Sequence, residues 1–145
     1  MIQHTSKIRV RYADTDQMRM VYYGKYFEYF EQGRTDLLRE LGVPYSEIEK
    51  MGYHLPVVEA YARYRRPAGY DDLIEVKSMV KELPSTRVRI DYEVRRDGDS
   101  EILAEGYTVH LFVSAGNGRP TRSPDRFNEA IAKAFHSVTP KEDSC

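Results

Sequence analysis

"GKYFEYFEQGRTDLLREL", residues 24 to 41, places apolar Phe27, Phe30, Leu37, Leu38 and Leu41 at helical spacing and runs into Gly42 and Pro44, a fitting stop. It is the one long helix of the first half. Gly33 stands in its middle, where glycine costs about 1 kcal/mol relative to alanine, which makes sense if a sheet presses closely there. Upstream, residues 5 to 12 alternate Ile8, Val10 and Tyr12 against Lys7, Arg9 and Arg11, the period-two pattern of a half-buried strand. Downstream, "VPYSEIEKMG" (43–52) predicts a short helix with Ser46 near its start, and residues 54 to 66 return to strand alternation. There the small Ala60 and Ala62 share a face with Val58 and Tyr64, which suggests close approach by a helix. "LIEVKSMVKEL" (73–83) and "TRVRIDYEVRR" (86–96) alternate next, with a hairpin turn at Pro84-Ser85, and a second turn follows at Asp97-Gly98. The last strand, residues 102 to 114, is apolar or small on both faces, which implies a helix on one side and a second subunit on the other. "SPDRFNEAIAKAFHSV" (123–138) is a terminal amphipathic helix begun by Ser123 or Asp125. Strands gathered after one buried helix predict an α+β fold, an antiparallel sheet curved around that helix.

A chain of 145 residues is the size of one compact domain, here 1–138, with fraying expected over 139–145. A net charge of -1 with 31% charged residues supplies no global field for nucleic acid or an anionic membrane. The lone Cys145 fits a reducing compartment, and the N-terminus lacks the apolar core of a secretory signal. The expectation is a soluble, cytoplasmic protein with no nucleic-acid or membrane partner.

The chain contains no G-x-S-x-G elbow, P-loop or H-E-x-x-H. His4, His54, His110 and His136 are too scattered for a metal site, and His110 reads as a satisfied core histidine. What stands out is the helix start. The first amides of a helix lack intrahelical acceptors and, with the macrodipole, favour negative charge. Here Tyr22, Tyr23 and Gly24 offer no good capping oxygen, although Asp14 and Asp16 lie just upstream. One account is a solvated helix end with two turn-supporting acids. The other joins the parts, because a carboxylate beside an oxyanion-stabilising helix terminus is a constellation for acyl transfer.

"RYADTDQMRMVYYGKYFEYFEQGR" (11–34), then "RYRRPAGYDDLIEV" (63–76) and "AEGYTVHLFV" (104–113), resemble the 4-hydroxybenzoyl-CoA thioesterase family of hot-dog-fold acyl-CoA thioesterases. The likeness extends from the first strand to about residue 125. It implies a five-stranded antiparallel sheet wrapped around one long helix, with the terminal helix added, and a homodimer or a tetramer built as a dimer of dimers, its active sites at subunit boundaries. It implies an acyl-CoA substrate with coenzyme A as part of that substrate and no separate cofactor. The family's catalytic carboxylate falls on Asp16, its oxyanion donor on the Tyr23 backbone amide, with Gly24 beside it. Its phosphate-binding hairpin falls on Ser85, Thr86 and Arg87, and Arg119 and Arg122 after the last strand are further candidates. Many relatives carry Asn where this chain has Lys25, a departure that bears on substrate geometry.

The implied reaction is thioester hydrolysis, with Asp16 as nucleophile or as general base toward water. Asp14 orients the loop. Glu31, two turns along the helix, is either a water-placing carboxylate or a surface acid paired with Arg34 or Thr35. Two alternatives stand beside it: a hot-dog hydratase or dehydratase, and a non-catalytic acyl-CoA-binding protein.

Overall fold

A computed structural model describes the backbone of residues 1–143 and the side chains of residues 1–135. The elements run β1 (Ile2–Arg9), α1 (Lys25–Glu40), α2 (Tyr45–Lys50), β2 (Tyr53–His54), β3 (Val57–Tyr64), β4 (Leu73–Val80), β5 (Arg87–Arg96), β6 (Ile102–Leu111), β7 (Val113–Ser114) and α3 (Asp125–Asp143). Five strands form one antiparallel sheet in the order β1-β4-β5-β6-β3, and β2 pairs with β7 in a separate two-stranded piece. The sheet curves around α1, the hot-dog arrangement expected.

The helix lies close on the sheet because two glycines allow it. A Cβ on Gly33 would sit 2.6 Å from Ser78 Oγ and 2.9 Å from Val76 Cγ1, so the expected pressure on mid-helix is real. On β6, a Cβ on Gly106 would meet the Tyr61 carbonyl oxygen and stand 2.9 Å from the Phe30 ring. Phe30 uses that space to stack on Tyr92, centroids 4.4 Å apart and 7° from parallel. Val10, Phe30, Leu37, Ile48, Ile74, Tyr92, Leu103 and Phe112 are fully buried around this contact.

Several boundaries differ from the sequence pattern. The first strand ends at Arg9, and Tyr12 opens a single 3-10 turn with its ring exposed. Pro56 has no amide hydrogen to donate, and the strand expected over 54–66 is split there into β2 and β3. Phe112 likewise separates β6 from β7. The close approach on the face carrying Ala60 and Ala62 falls one strand inward: β3 is the sheet's edge, of these two alanines only Ala62 touches the core, and its cross-strand partner Gly106 on β6 meets Phe30 of α1. On β6, Ala104 and Thr108 of one face are buried, and on the other face Tyr107 stacks on Tyr61 beneath the Arg89 guanidinium. Helix α3 continues through Asp143, into the segment expected to fray, and residues 144–145 lie outside the described residues. Among the described residues no helix is long and apolar enough to cross a membrane.

Candidate active site

Two acids separated by one residue take opposite roles. Asp14 is 3% exposed. Its Oδ2 accepts the Tyr29 hydroxyl at 3.0 Å and the Arg11 amide at 3.1 Å, and its Oδ1 meets Arg11 Nη2 at 3.2 Å and Lys25 Nζ at 3.7 Å. Burial alone would push the Asp14 carboxyl up, but the Arg11 amide, the Tyr29 hydroxyl and the Arg11 guanidinium together hold it below the usual value. The same bond, added to burial, pushes the Tyr29 hydroxyl far up. Asp14 therefore fastens the loop to α1, as expected of it. Lys25 is used in this fastening and pairs with Glu28 at 3.1 Å.

Asp16 instead projects from a tight turn. The turn closes through the Thr15–Val21 bridge, Asp16 N donating to Met20 O at 2.9 Å and Arg19 N donating to Asp16 O at 2.9 Å. Asp16 Oδ1 accepts the Met18 amide at 2.8 Å and lies 3.4 Å from the Met20 amide, so one carboxylate oxygen is fixed while Oδ2 carries no bond among the described residues. Arg19 adopts φ 64°, a left-handed conformation that is costly for a residue with a side chain.

The terminus of α1 stands across from this turn. Gly24 is its cap residue and no side chain caps it. The Lys25 and Tyr26 amides donate to the Tyr22 and Tyr23 carbonyls at 2.9 and 3.2 Å, and the Tyr22 amide donates to Asp14 O. Neither the Tyr23 nor the Gly24 N–H has an acceptor among the described residues. The Tyr64 hydroxyl donates to Tyr23 O at 3.1 Å, and the two rings pack 4.8 Å apart. A cavity of about 300 Å3 brings Asp16 and Tyr23 together, walled by Met18, Met20, Tyr26 and Tyr64 with Arg65 and Arg66 at its rim. Tyr64 and Tyr26 escape the sequence reading because their place here depends on contacts spanning some forty residues of chain, which no local period reveals.

Ser85, Thr86 and Arg87 are brought together with Arg122, but elsewhere. Ser123 N donates to Ser85 O at 3.0 Å and Phe112 N to Thr86 O at 3.1 Å, which lays the segment after β7 along the β4–β5 turn. Arg119 lies further along the same segment, its carbonyl accepting Ser114 N of β7 at 2.9 Å. This group belongs to the far end of the sheet: Arg87 pairs with Leu111, whereas Arg95 pairs with Ile102 near the Asp16 cavity. Eight residues of strand, roughly 25 Å, separate the two ends within one chain. Ser85 and Arg87 border an open depression with Lys81, Arg89 and Glu59.

Glu31 is not in the Asp16 cavity. Its exposed carboxylate lies 3.9 Å from Arg34, beside a separate cavity of about 360 Å3 that also touches His110 and Val57. His110 is buried and bonded at both nitrogens, to Thr108 Oγ1 at 2.8 Å and to the Leu55 carbonyl at 3.3 Å. Burial, with the charge of Arg34, pushes its pKa down to about 4, so it is a neutral, satisfied core histidine.

A family model described as the thioesterase-like superfamily matches residues 10–131. A Bacillus subtilis protein provisionally named an acyl-CoA thioesterase, YneP, is 33% identical over 119 residues, covering 81% of this chain and 86% of that protein. The Haemophilus influenzae acyl-CoA thioesterase YbgC is 28% identical over 132 residues, 90% of this chain and 93% of its own. Among solved structures, a DHNA-CoA thioesterase from Staphylococcus aureus superposes with a TM-score of 0.84 at 28% identity, covering 99% of this chain and 95% of that one.

Proposed function

The chain belongs to the thioesterase-like superfamily, and on that premise we propose that it is an acyl-CoA thioesterase acting in the cytoplasm through Asp16 and the Tyr23 amide. The observation that carries this is the shared cavity: Asp16, whose carboxylate has one unbonded oxygen, and Tyr23, whose N–H is unbonded at the helix terminus, line the same space. The thioester oxygen accepts from Tyr23 N–H, with Gly24 beside it, and the positive end of α1 stabilises the charge that grows there; one such donor is worth roughly a hundredfold in rate. Asp16 Oδ2 either attacks the carbonyl carbon or removes a proton from the water that does. In the first case the carbon–sulfur bond breaks to leave an Asp16 mixed anhydride and coenzyme A thiolate, and water then cleaves the anhydride to the acid. In the second, the water oxygen adds directly and the thiolate leaves. Neither route needs a cofactor, because a thiolate is a competent leaving group.

The proposal includes a second copy of the chain. Among the described residues the outer edge of β3 is unpaired, and Val57, Val58, Tyr61 and Tyr64 on it are 38 to 49% exposed, a long apolar edge of the kind that pairs with another strand. Antiparallel pairing of β3 with its twin about a two-fold sets Tyr64 of one copy near Val57 of the other. The Asp16 cavity then lies beside the far end of the twin sheet, which supplies Ser85, Thr86, Arg87, Arg119 and Arg122 as contacts for the coenzyme phosphates.

The test is thiol release from a panel of acyl-CoAs by wild type and Asp16→Asn. Wild type is expected to turn over at least one substrate, and Asp16→Asn to lose at least about a hundredfold in kcat while still binding it. Absence of turnover by wild type across the panel, with acyl-CoA still bound, would leave a binding protein in place of the hydrolase.

A further inference from the structure

The turn that carries Asp16 has no core of its own and leans on one neighbour. Val21 N donates to Ala68 O at 2.9 Å, Met20 forms a bridge with Gly69, and Tyr70 N donates to Arg19 O at 3.2 Å. Met20 is also the residue whose amide approaches Asp16 Oδ1, so the placement of segment 67–72 passes directly to the carboxylate. That segment belongs to no helix or strand, and Asp71 within it takes φ 69°.

Its shape is set by one guanidinium. Arg96, the last residue of β5, donates from Nη2 to the Pro67 carbonyl at 2.9 Å and from Nε to Asp72 Oδ2 at 3.1 Å. The same Asp72 oxygen accepts the Gly69 amide at 2.8 Å. Arg96 thus spans the two ends of the segment from a regular strand, while Asp72 ties its middle. Tyr26, buried in the wall of the Asp16 cavity, feels the same group: burial pushes its hydroxyl up, and the Ala68 backbone and the charge of Arg96 oppose that rise.

We infer that Arg96 and Asp72 form a clamp that positions Asp16 for attack, acting through segment 67–72 and Met20 without touching substrate. The inference rests on the assignment of Asp16 as the reacting carboxylate. Lysine cannot replace Arg96 here, because a single ammonium on a flexible stem does not hold two acceptors in one plane.

The test is steady-state kinetics of Arg96→Lys and Asp72→Asn, alone and combined with Asp16→Asn, with melting temperatures recorded alongside. Asp72→Asn keeps an acceptor for Gly69 and serves if the arginine variant fails to fold. Each single variant is expected to lower kcat by about ten- to a hundredfold, the scale of a misplaced reacting group, with KM within about twofold. Against Asp16→Asn the same change is expected to cost nothing further, since the clamp acts only through that side chain. Folded single variants with wild-type kcat, or losses that multiply with that of Asp16→Asn, overturn the clamp and leave the hydrolase standing. Full turnover by Asp16→Asn overturns the assignment of Asp16 and the clamp with it.

Discussion

His110 shows how a single residue can look chemical and serve structure. Its two bonds, to Thr108 and the Leu55 carbonyl, suit the neutral ring, and Arg34 opposes a second charge nearby. The folded pKa of about 4 lies below the ordinary 6.5. Above pH 6.5 the ring is neutral in both states and pH has no leverage. As pH falls below 6.5 the unfolded chain takes up a proton that the folded chain refuses, so stability drops until about pH 4, with a slope of at most about 1.4 kcal/mol per pH unit. Urea titrations between pH 7 and 4 are expected to show this slope in wild type and its loss in His110→Gln. The bland role of His110 was legible in the sequence because it interrupts an apolar strand. Which of the two acids turns inward was not legible in the sequence: nothing in "DTD" tells it, and Tyr29, fifteen residues on, decides it.

At the scale of elements, β6 and α1 are fitted to one another by Gly106. A methyl group there meets the Tyr61 carbonyl across the β3 pairing and the Phe30 ring beneath it, and neither has room to retreat, since Phe30 is pinned against Tyr92. Gly106→Ala is therefore expected to destabilise by about 3 kcal/mol, the upper part of the overpacking range, measured as a lower urea midpoint with unchanged m. The long helix and strands β1, β4, β5 and β6 could be read from their periods because each buries residues against the same core, whereas β3 shows its alternation with only Ala62 packed on that core. The order of the strands could not be read: β3 leaves its neighbour in sequence, β4, to pair with β6, and alternation records which side a residue faces, not which strand lies next to it. The same ignorance placed the helix against Ala60 and Ala62, small residues that here mark an edge.

For the whole molecule, the proposed shared site is the arrangement to test, because the Asp16 cavity and the Ser85–Arg87 turn lie toward opposite ends of one sheet. A lysine in the middle of the exposed edge, Val58→Lys, leaves the core untouched and is expected to reduce the species in light scattering to single-chain mass, with acyl-CoA turnover falling at least about tenfold. A monomer as active as wild type would sink the shared-site arrangement. Sequence alone pointed to a partner through the two apolar faces of the last strand, yet the unpaired edge lies one strand further out. A separate consequence comes from the turn at residues 16 to 20. It adds almost nothing to the packed interior, and Met18, 72% exposed, touches the candidate cavity from outside it. Inheritance can thus redraw the mouth of the enzyme, trading one side chain for another at Met18, without endangering the ability of the chain to fold: selectivity and durability are written in separate parts of the polypeptide.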